Sequence, residues 1–475
     1  MTVAGCGKDA TPPPVAVAEV SASPIASLQD DRVYQYQDQG VAVPERQRLV
    51  DERLKTMADL GATLIRVDFR WDRVATRKPH TPADPADPAY DWDRYDRIVT
   101  AAKKNGVEVL FTVWGTPAWA ADRAVRPNRG EEYAVRPAHP DDYGAFAAAA
   151  ARRYAPRGVH RWEAWNEPNI PLFLFPQYER RGGRWVAVSP ATYSELLKRL
   201  YVNVKRVAPD AVVAGGVTAP TGDECGLSCS PKRVAAPARV APAAFLRGLD
   251  EPALRPPMDV VSHHPYPTIR PELASRPRPR AIELYNLDQL TAAIDRTYLR
   301  GRPIWLSEYG FATEPVKNLA TFLTPAEQAT AISDALRRGR AVPRVQLMTY
   351  YFLQDNPGFK SGLTTVDGTP KPGRDAFAMP LFADPVGEVA SGTRVRIVGQ
   401  VRPAKSRTTV RVEWRSGDSW KPLTSVRTRA DGTFAIEVTA RETLAVRALW
   451  SGVTRSGSSA DWTSPTVTIP VRGGA

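Results

Sequence analysis

The sequence predicts an α/β protein, a (β/α)8 barrel of the TIM type followed by a small antiparallel β-sandwich domain. Three observations lead to this prediction. The 475 residues are enough for a barrel of roughly 250 or more residues and a second, smaller domain. Short β-rich apolar runs alternate with longer helical patterns from about residue 24 to 381. Beyond that region the pattern changes to short alternating strands separated by turn residues.

Eight apolar runs have the length and composition of buried strands, and helical patterns separate them. The predicted strands lie near residues 25–29, 64–68, 107–113, 159–165, 211–215, 258–262, 303–307 and 345–350. The predicted helices include residues 93–105, 143–154, 193–207, 243–249, 287–299 and 325–338. Strict alternation over this length favours parallel strands closed into a barrel.

The composition divides the chain into four parts. Residues 1–23 are rich in proline and are predicted to form a flexible N-terminal tether, and residues 24–382 form the barrel. Residues 383–391 are predicted to be a linker to an immunoglobulin-like or fibronectin-like sandwich over residues 392–475. Trp414, Trp420 and Trp450 of this last domain suit either a sugar-binding platform or the sandwich core, and we favour the core.

The net charge of +13 raises the question of a nucleic-acid partner. The sequence contains no zinc-finger spacing, no RNA-binding aromatic motif and no basic helix, so we expect no nucleic-acid binding. A solvated, arginine-rich surface is the simpler interpretation, and an anionic polysaccharide is the alternative partner. No apolar run approaches the ~18 residues of a membrane helix, and we expect a monomer.

The three cysteines bear on the cellular compartment. Cys225 and Cys229 flank a short polar turn and are predicted to form a loop disulfide, which indicates an oxidising environment. A metal site is the alternative, but no other cysteine lies near in sequence. Cys6 follows Val-Ala-Gly, which resembles a bacterial lipoprotein cleavage box and makes it a candidate for lipid attachment. A chance match is the alternative. We therefore expect a protein that is secreted or lipid-anchored outside a bacterial cell.

Two glutamates end predicted strands on opposite sides of the barrel. Glu167 follows the fourth strand and Glu308 the seventh, and reactive groups of such barrels sit at the carboxyl ends of strands. Paired carboxylates across a cleft are the minimum equipment for glycoside hydrolysis. The five histidines lack metal spacing, and neither a phosphate loop nor a nucleophile elbow is present, so we expect no cofactor and no metal. Either glutamate alone could be structural; the pair in this context favours chemistry.

The motifs around both glutamates resemble the retaining glycoside hydrolases of clan A, most closely families 5 and 39. They are W-N-E-P at residues 165–168 and W-L-S-E-Y-G at residues 305–310. Further motifs follow in the expected order at residues 27–31, 64–66, 115–119, 262–266, 362–363 and 371–372. The resemblance covers about residues 24–382.

This resemblance implies that Glu167 is the acid/base and Glu308 the nucleophile. It also implies that Asn166 bonds the sugar 2-hydroxyl, that Tyr266 steadies the nucleophile, and that Arg66 lies under Glu308. Tyr350 stands where many relatives place a tryptophan under the sugar. The full predicted substrate-binding set is Arg66, Trp114, Trp119, Trp165, Asn166, His264, Tyr266 and Tyr350.

The neighbours of the two glutamates predict different pKa values. A guanidinium and a phenol donor favour the ionised form of Glu308. Two flanking tryptophans, Trp162 and Trp165, should raise the pKa of Glu167. The sequence thus predicts a retaining glycoside hydrolase that cleaves O-glycosidic bonds of a polysaccharide or oligosaccharide through a covalent glycosyl-enzyme intermediate. The alternatives are a catalytically silent glycan-binding barrel and an envelope-remodelling transglycosylase.

Overall fold

A computed structural model describes residues 12–35, 40–125, 132–270, 278, 280–315 and 322–472. Cys6, the candidate lipidation site, lies outside the described residues. The strands, numbered along the chain, are β1 (Val15–Val17), β2 (Ile25–Gln29), β3 (Leu64–Arg70), β4 (Glu108–Trp114), β5 (Arg161–Ala164), β6 (Tyr178–Arg181), β7 (Arg184–Ala187), β8 (Val212–Thr218), β9 (Ser228–Cys229), β10 (Val260–His263), β11 (Ile304–Tyr309), β12 (Val345–Tyr351), β13 (Leu381–Asp384), β14 (Val389–Ala390), β15 (Thr393–Gln400), β16 (Thr409–Ser416), β17 (Ser419–Arg427), β18 (Thr433–Ala440), β19 (Leu444–Val453), β20 (Ser459–Thr463), β21 (Val467–Ile469) and β22 (Val471–Arg472). The α-helices are α1 (Asp31–Tyr34), α2 (Val43–Asp59), α3 (Trp71–Val74), α4 (Asp93–Lys104), α5 (Pro140–Tyr154), α6 (Ser189–Val207), α7 (Pro242–Leu249), α8 (Leu287–Asp295), α9 (Pro325–Arg340) and α10 (Pro372–Ala378).

Eight parallel strands close into a barrel, which confirms the predicted fold class. Their order around the barrel is β2, β3, β4, β5, β8, β10, β11 and β12, and β12 pairs with β2 to complete the ring. Each of the eight strands overlaps one of the predicted runs. Helices lie between successive strands; α9, for example, begins at a capping box formed by Thr324 and Glu327 with Pro325 in its first turn.

The barrel interior changes from apolar to polar along its axis. An apolar layer is formed by Leu64, Leu110, Ala214, Val260, Trp305 and Leu347. Because side chains on a strand alternate, the residue two positions further along points to the same interior. At those positions β3, β4, β10 and β11 carry Arg66, Thr112, Ser262 and Ser307, all fully or almost fully buried. This polar layer lies directly below the carboxyl ends of the strands, where Glu167 and Glu308 are found.

The C-terminal domain contains two antiparallel sheets, as predicted. One sheet has the order β1-β18-β15-β13, and the other has β17-β16-β19-β20 with β21 paired to β19. Trp414 and Trp450 are each 3% exposed and belong to the buried core, which agrees with the favoured interpretation. Trp420 is partly buried, and the Arg447 guanidinium lies 4.3 Å from the centre of its ring.

The N-terminal segment and the linker differ from the prediction. β1 pairs antiparallel with β18, so part of the expected flexible tether is a sheet strand, with Val15 opposite Val438. β13 pairs with β15, and the sandwich sheet therefore begins before the expected linker. The physical reason in both cases is that an extended, partly apolar segment satisfies its backbone groups on an available strand edge.

The sandwich packs directly against the barrel. Leu336 of α9 joins Phe382, Val398 and Ala435 in one buried cluster. Arg402 is 3% exposed and donates from Nη1 to the carbonyl oxygen of Phe377 in α10 at 3.0 Å. The two domains thus share a buried interface. No helix in the described part of the chain is long and apolar enough to cross a membrane.

Candidate active site

Glu167 is presented by a strained turn at the end of β5. Trp165 and Glu167 both have positive φ angles, 65° and 39°, which non-glycine residues adopt only where the surroundings hold them. Trp165 supplies that restraint. Its indole N–H donates to the Phe173 carbonyl at 2.7 Å, and its ring packs against Tyr143 of α5 at 5.6 Å. The turn projects the Glu167 side chain, 12% exposed, into the barrel mouth.

Glu308 is the penultimate residue of β11, and both of its carboxylate oxygens accept hydrogen bonds from strong donors. Arg66 donates from Nη1 to Oε2 at 2.8 Å, and the Tyr266 hydroxyl donates to Oε1 at 2.6 Å. The side chain is 14% exposed. Arg66 and Tyr266 therefore contact Glu308, as the sequence analysis expected.

One histidine nitrogen lies between the two carboxylates. His264 Nδ1 is 3.0 Å from Oε1 of Glu167 and 3.7 Å from Oε2 of Glu308. These two oxygens can be no further apart than the sum of the distances, about 6.7 Å. Retaining enzymes have carboxyl groups ~5–5.5 Å apart and inverting enzymes roughly 6.5–9.5 Å. This upper bound on one oxygen pair is compatible with the retaining spacing.

Arg66 organises the polar layer beneath both glutamates. It is 0% exposed, and besides Glu308 it donates from Nε to Glu163 at 3.0 Å and from Nη2 to the side-chain oxygen of Asn166 at 2.8 Å. A planar guanidinium suits this task because its donors point in fixed directions. With its oxygen held by Arg66, the Asn166 side chain has its amide N–H₂ as the remaining donor.

The pKa values of the two mouth glutamates are both raised, and burial is the main cause. Burial raises the pKa of Glu167 to about 7, with the Arg66 charge acting in the opposite direction. Burial also raises the pKa of Glu308, while the charge of Arg66 lowers it. The direction predicted for Glu167 is confirmed. Glu308 is the one that touches a guanidinium and a phenol directly, and these contacts favour its ionised form.

Several predicted substrate-binding residues lie behind the mouth surface. Arg66, Trp165, His264 and Tyr350 are each 0% exposed. The first three support the carboxylates from below or behind. Trp114, 4% exposed, packs edge-on against Phe173 under the Arg70 guanidinium. The partly buried ring of Trp119 is fixed by its N–H bond to the Ala75 carbonyl.

The structure does not bring Tyr350 to the mouth, so its predicted place under the sugar is wrong. Its hydroxyl donates to the Ser361 carbonyl at 2.7 Å, and its ring packs against Tyr309 and Phe377 in the helical layer. The next residue, Tyr351, faces the opposite side because strand side chains alternate. Its ring lies 6.4 Å from that of Tyr266, whose hydroxyl bonds Glu308.

A buried aspartate beside Tyr351 was not predicted as part of the site. Asp31, 3% exposed, accepts hydrogen bonds from the hydroxyls of Tyr34 at 2.7 Å and Tyr351 at 2.9 Å and from the Asn356 amide at 3.0 Å. Burial raises the pKa of Asp31 to about 6. Its position directly after the first barrel strand was the available signal, since that rule identified Glu167 and Glu308.

A three-stranded sheet combines two loops of the barrel. The β6–β7 hairpin lies in the loop that follows Glu167, and β9, which pairs with β7, lies in the loop after β8. Within that second loop Cys225 is bonded to Cys229, as predicted. His263 packs beside the site between Thr218 and Ile282. In the described part of the chain, no group of three or more His, Cys, Asp or Glu side chains is arranged to hold a metal ion.

Comparison with known proteins decides the family. The sequence pattern of the family Cellulase (glycosyl hydrolase family 5) matches residues 42–321, a span that includes both Glu167 and Glu308. The chain belongs to glycosyl hydrolase family 5. It thus carries a glycosidase domain, and family 5 is one of the two families that the motifs resembled.

Solved structures of several glycoside hydrolases are similar to this chain. A glucosidase from Croceicoccus marinus has 16% identity over 81% of this chain and 91% of its own, with a TM-score of 0.48. The catalytic domain of GH30 xylanase C from Talaromyces cellulolyticus has 12% identity over 90% and 98%, with a TM-score of 0.48. An α-L-arabinofuranosidase from Thermotoga maritima has 12% identity over 91% and 97%, with a TM-score of 0.46. No curated protein matches the chain.

Proposed function

We propose that this family 5 member is a retaining glycoside hydrolase that cleaves O-glycosidic bonds of a polysaccharide or oligosaccharide by double displacement. The observation that carries the proposal is the unequal surroundings of two close carboxylates. Glu308 accepts from Arg66 and Tyr266, which suits an ionised nucleophile. Glu167 lies against a histidine, His264, and burial raises its pKa to about 7, which suits a proton donor.

The proposed reaction has two steps. In the first, an oxygen of Glu308 bonds to the anomeric carbon while the glycosidic C–O bond breaks and Glu167 gives its proton to the departing oxygen. In the second, Glu167 takes a proton from water, the water oxygen bonds to the anomeric carbon, and the bond to Glu308 breaks. The free amide N–H₂ of Asn166 would donate to the sugar 2-hydroxyl in both steps.

An anionic glycan is the substrate class that the charges around the rim favour. Arg180, Arg181 and Arg184 are exposed on the β6–β7 hairpin. Arg239 is also exposed, and its positive charge acts on Glu167. The neighbouring Val240 fixes this loop by donating its backbone N–H to the Asn169 carbonyl at 2.9 Å. The exposed Arg239 guanidinium, whose charge reaches Glu167, suits a carboxylated or sulfated sugar on the leaving-group side.

We further propose that the chain is a monomer that works outside a bacterial cell. The Cys225–Cys229 disulfide supports an oxidising compartment. Whether the protein is released or lipid-anchored at Cys6 depends on processing of the N-terminus. Mass spectrometry of protein expressed from a bacterial host in membrane and medium fractions would distinguish the two.

The nucleophile assignment is tested by Glu308→Ala. We expect turnover to be abolished and added azide to restore it as a glycosyl azide of inverted anomeric configuration. Glu167→Ala should instead give a glycosyl azide of retained configuration on an activated aryl glycoside. Glu195, exposed on α6 and paired with Lys198, provides the control variant Glu195→Ala, which should retain full activity. Near-normal hydrolysis by a folded Glu308→Ala protein would refute the assignment.

The substrate is tested by a panel of neutral, carboxylated and sulfated polysaccharides, with Glu167→Ala as the inactive control. Product sizes separate endo from exo action, and product mixtures with added acceptor sugars separate hydrolysis from transglycosylation. Turnover of neutral glycans alone would exclude the anionic class. Binding without any turnover would favour the alternative of a glycan-binding barrel.

A further inference from the structure

A line of buried hydrogen bonds runs from Glu163 to Glu167 through three other side chains. Ser262 Oγ lies 2.6 Å from Oε1 of Glu163 and 2.6 Å from Ser307 Oγ. Ser307 Oγ lies 3.1 Å from His264 Nε2, and His264 Nδ1 lies 3.0 Å from Oε1 of Glu167. The first four members are 0% or 1% exposed, so no solvent molecule is needed to complete their bonds. The direction of each bond can therefore be worked out in turn.

The line starts at a carboxylate that can only accept. Glu163 is held by Arg66 Nε at 3.0 Å and by the Thr112 hydroxyl, which donates at 2.7 Å to the same oxygen, Oε2. Although burial acts against ionisation, the charge of Arg66 and the hydrogen bond from the Ser262 hydroxyl lower the pKa of Glu163. An ionised carboxylate has no hydrogen to donate.

The hydroxyl hydrogens are then assigned by elimination. Ser262 must donate its only hydrogen to Glu163, so it accepts at Oγ from Ser307. Ser307 has thereby used its own hydrogen and can only accept from His264. His264 is neutral, because burial lowers its pKa to about 4. Its single ring hydrogen must therefore sit on Nε2, which leaves a lone pair on Nδ1.

This lone pair faces Oε1 of Glu167, and two acceptors 3.0 Å apart repel unless a hydrogen lies between them. We propose that Glu163, Ser262 and Ser307 are positioning residues that fix the tautomer of His264, and that His264 thereby holds the catalytic proton on Glu167. The proposal rests on the proposed function of Glu167 as acid/base. No proton travels along the line: the proton of Glu167 goes to the glycosidic oxygen and is replaced from water.

The consequence is a site that returns to its protonated form. When Glu167 has lost its proton, its carboxylate faces the Nδ1 lone pair without a hydrogen between them. This unfavourable contact adds to burial in promoting uptake of a proton from the attacking water. The charged or titratable groups that act on His264 or Glu167 are Arg66, Asp68, Glu163, Arg239 and Glu308.

The tautomer can be observed directly by ¹⁵N NMR of the full-length protein labelled at histidine. The chain has five histidines, so the spectrum is simple. His263 serves as an internal reference: its Nε2 faces the Ile282 carbonyl at 2.9 Å and must carry the hydrogen. We expect His264 to show the same Nε2–H pattern near neutral pH. An Nδ1–H pattern in the wild-type protein would overturn the proposal, and this measurement needs no substrate.

Ser307→Ala tests the link to chemistry. Without its acceptor on Nε2, His264 should move its hydrogen to Nδ1 and donate to an ionised Glu167. The pKa of Glu167 should fall, and the basic limb of kcat/KM should move to lower pH by about one unit or more. Thr349→Val is the matched control, because it removes a buried hydroxyl of the barrel interior that has no hydrogen-bond partner among the described residues; tautomer and basic limb should stay in place.

The outcomes separate this proposal from the proposed function. A wild-type Nε2–H tautomer with an unmoved basic limb in folded Ser307→Ala would show that the line does not tune the acid. A protein without glycosidase activity on any substrate would refute the function, whereas the NMR measurement would still decide the tautomer. If Ser307→Ala does not fold, the wild-type spectrum remains decisive.

Discussion

The hydroxyl of Tyr266 makes one contact whose removal has a calculable effect. Tyr266→Phe deletes the donor to Oε1 of Glu308 at 2.6 Å and keeps the ring in place. The donor stabilises the ionised carboxylate more than the protonated acid. Its loss should therefore raise the pKa of Glu308, which burial has already raised.

A hydrogen bond to a charged group contributes about 1.5–3 kcal/mol, and one pKa unit corresponds to about 1.4 kcal/mol. The pKa of Glu308 should thus rise by about one to two units. The nucleophile must be ionised, so activity is lost as pH falls through this pKa. The acid limb of kcat/KM should accordingly move to higher pH by about one to two units, and on that limb the rate should fall roughly 10- to 100-fold.

The assay is the pH dependence of kcat/KM on an aryl glycoside of the sugar that the polysaccharide panel identifies. Tyr34→Phe is the control, because the Tyr34 hydroxyl donates to Asp31 at 2.7 Å rather than to Glu308. It should leave the acid limb in place. An acid limb at the wild-type position in folded Tyr266→Phe would refute the assignment of Glu308 as the group that must be ionised.

Three further predictions concern the intact protein and its stability. The basic limb of wild-type kcat/KM should lie near the pKa of Glu167, about 7, because the acid must be protonated; a rate that keeps rising well above that pH would contradict this. Replacing Cys225 and Cys229 together by serine should lower the free energy of unfolding by about 2 kcal/mol, measured by thermal unfolding with reductant-treated wild type for comparison. Gly61→Ala should lower the free energy of unfolding by at least about 2 kcal/mol, because the new Cβ would lie 2.1 Å from the backbone of Arg402 at a φ of +85°. Gly106→Ala should lower it by only about 1 kcal/mol, because φ is +65° there but no atom lies within 4 Å of the new Cβ.

Local pattern was sufficient to predict the barrel. Each buried strand is a β-rich run that a helix follows, and both features are visible in a short window of sequence. The strand ends then identified Glu167 and Glu308, because a closed parallel barrel brings all carboxyl ends to one mouth. Pairing between distant segments was not predictable in this way. β1 is only Val15–Val17, and nothing local indicates that it pairs with residues 436–438.

The errors at the site arise from the orientation of side chains. Tyr350 and Tyr351 are adjacent, and an offset of one residue moves a side chain from the mouth to the helical layer. Trp165 was predicted to bind substrate, but the left-handed backbone at this residue turns its ring inward against Tyr143. A sequence shows which residues lie near a strand end; it does not give the dihedral angles that aim them.

Glu163 and Glu167 illustrate why neighbours, and not burial alone, decide which carboxyl group keeps a proton. They lie four positions apart at the end of β5, and burial opposes the charge on both. Glu163 contacts a guanidinium and two hydroxyl donors, and its pKa falls. Glu167 contacts one neutral imidazole, and its pKa rises to about 7. Because Glu163 is ionised, it fixes the direction in which the hydroxyls of Ser262 and Ser307 donate. His264 must then carry its hydrogen on Nε2, so Glu167 faces an acceptor, the Nδ1 lone pair, in place of a donor. The charge on the first glutamate is thus a cause of the proton on the second.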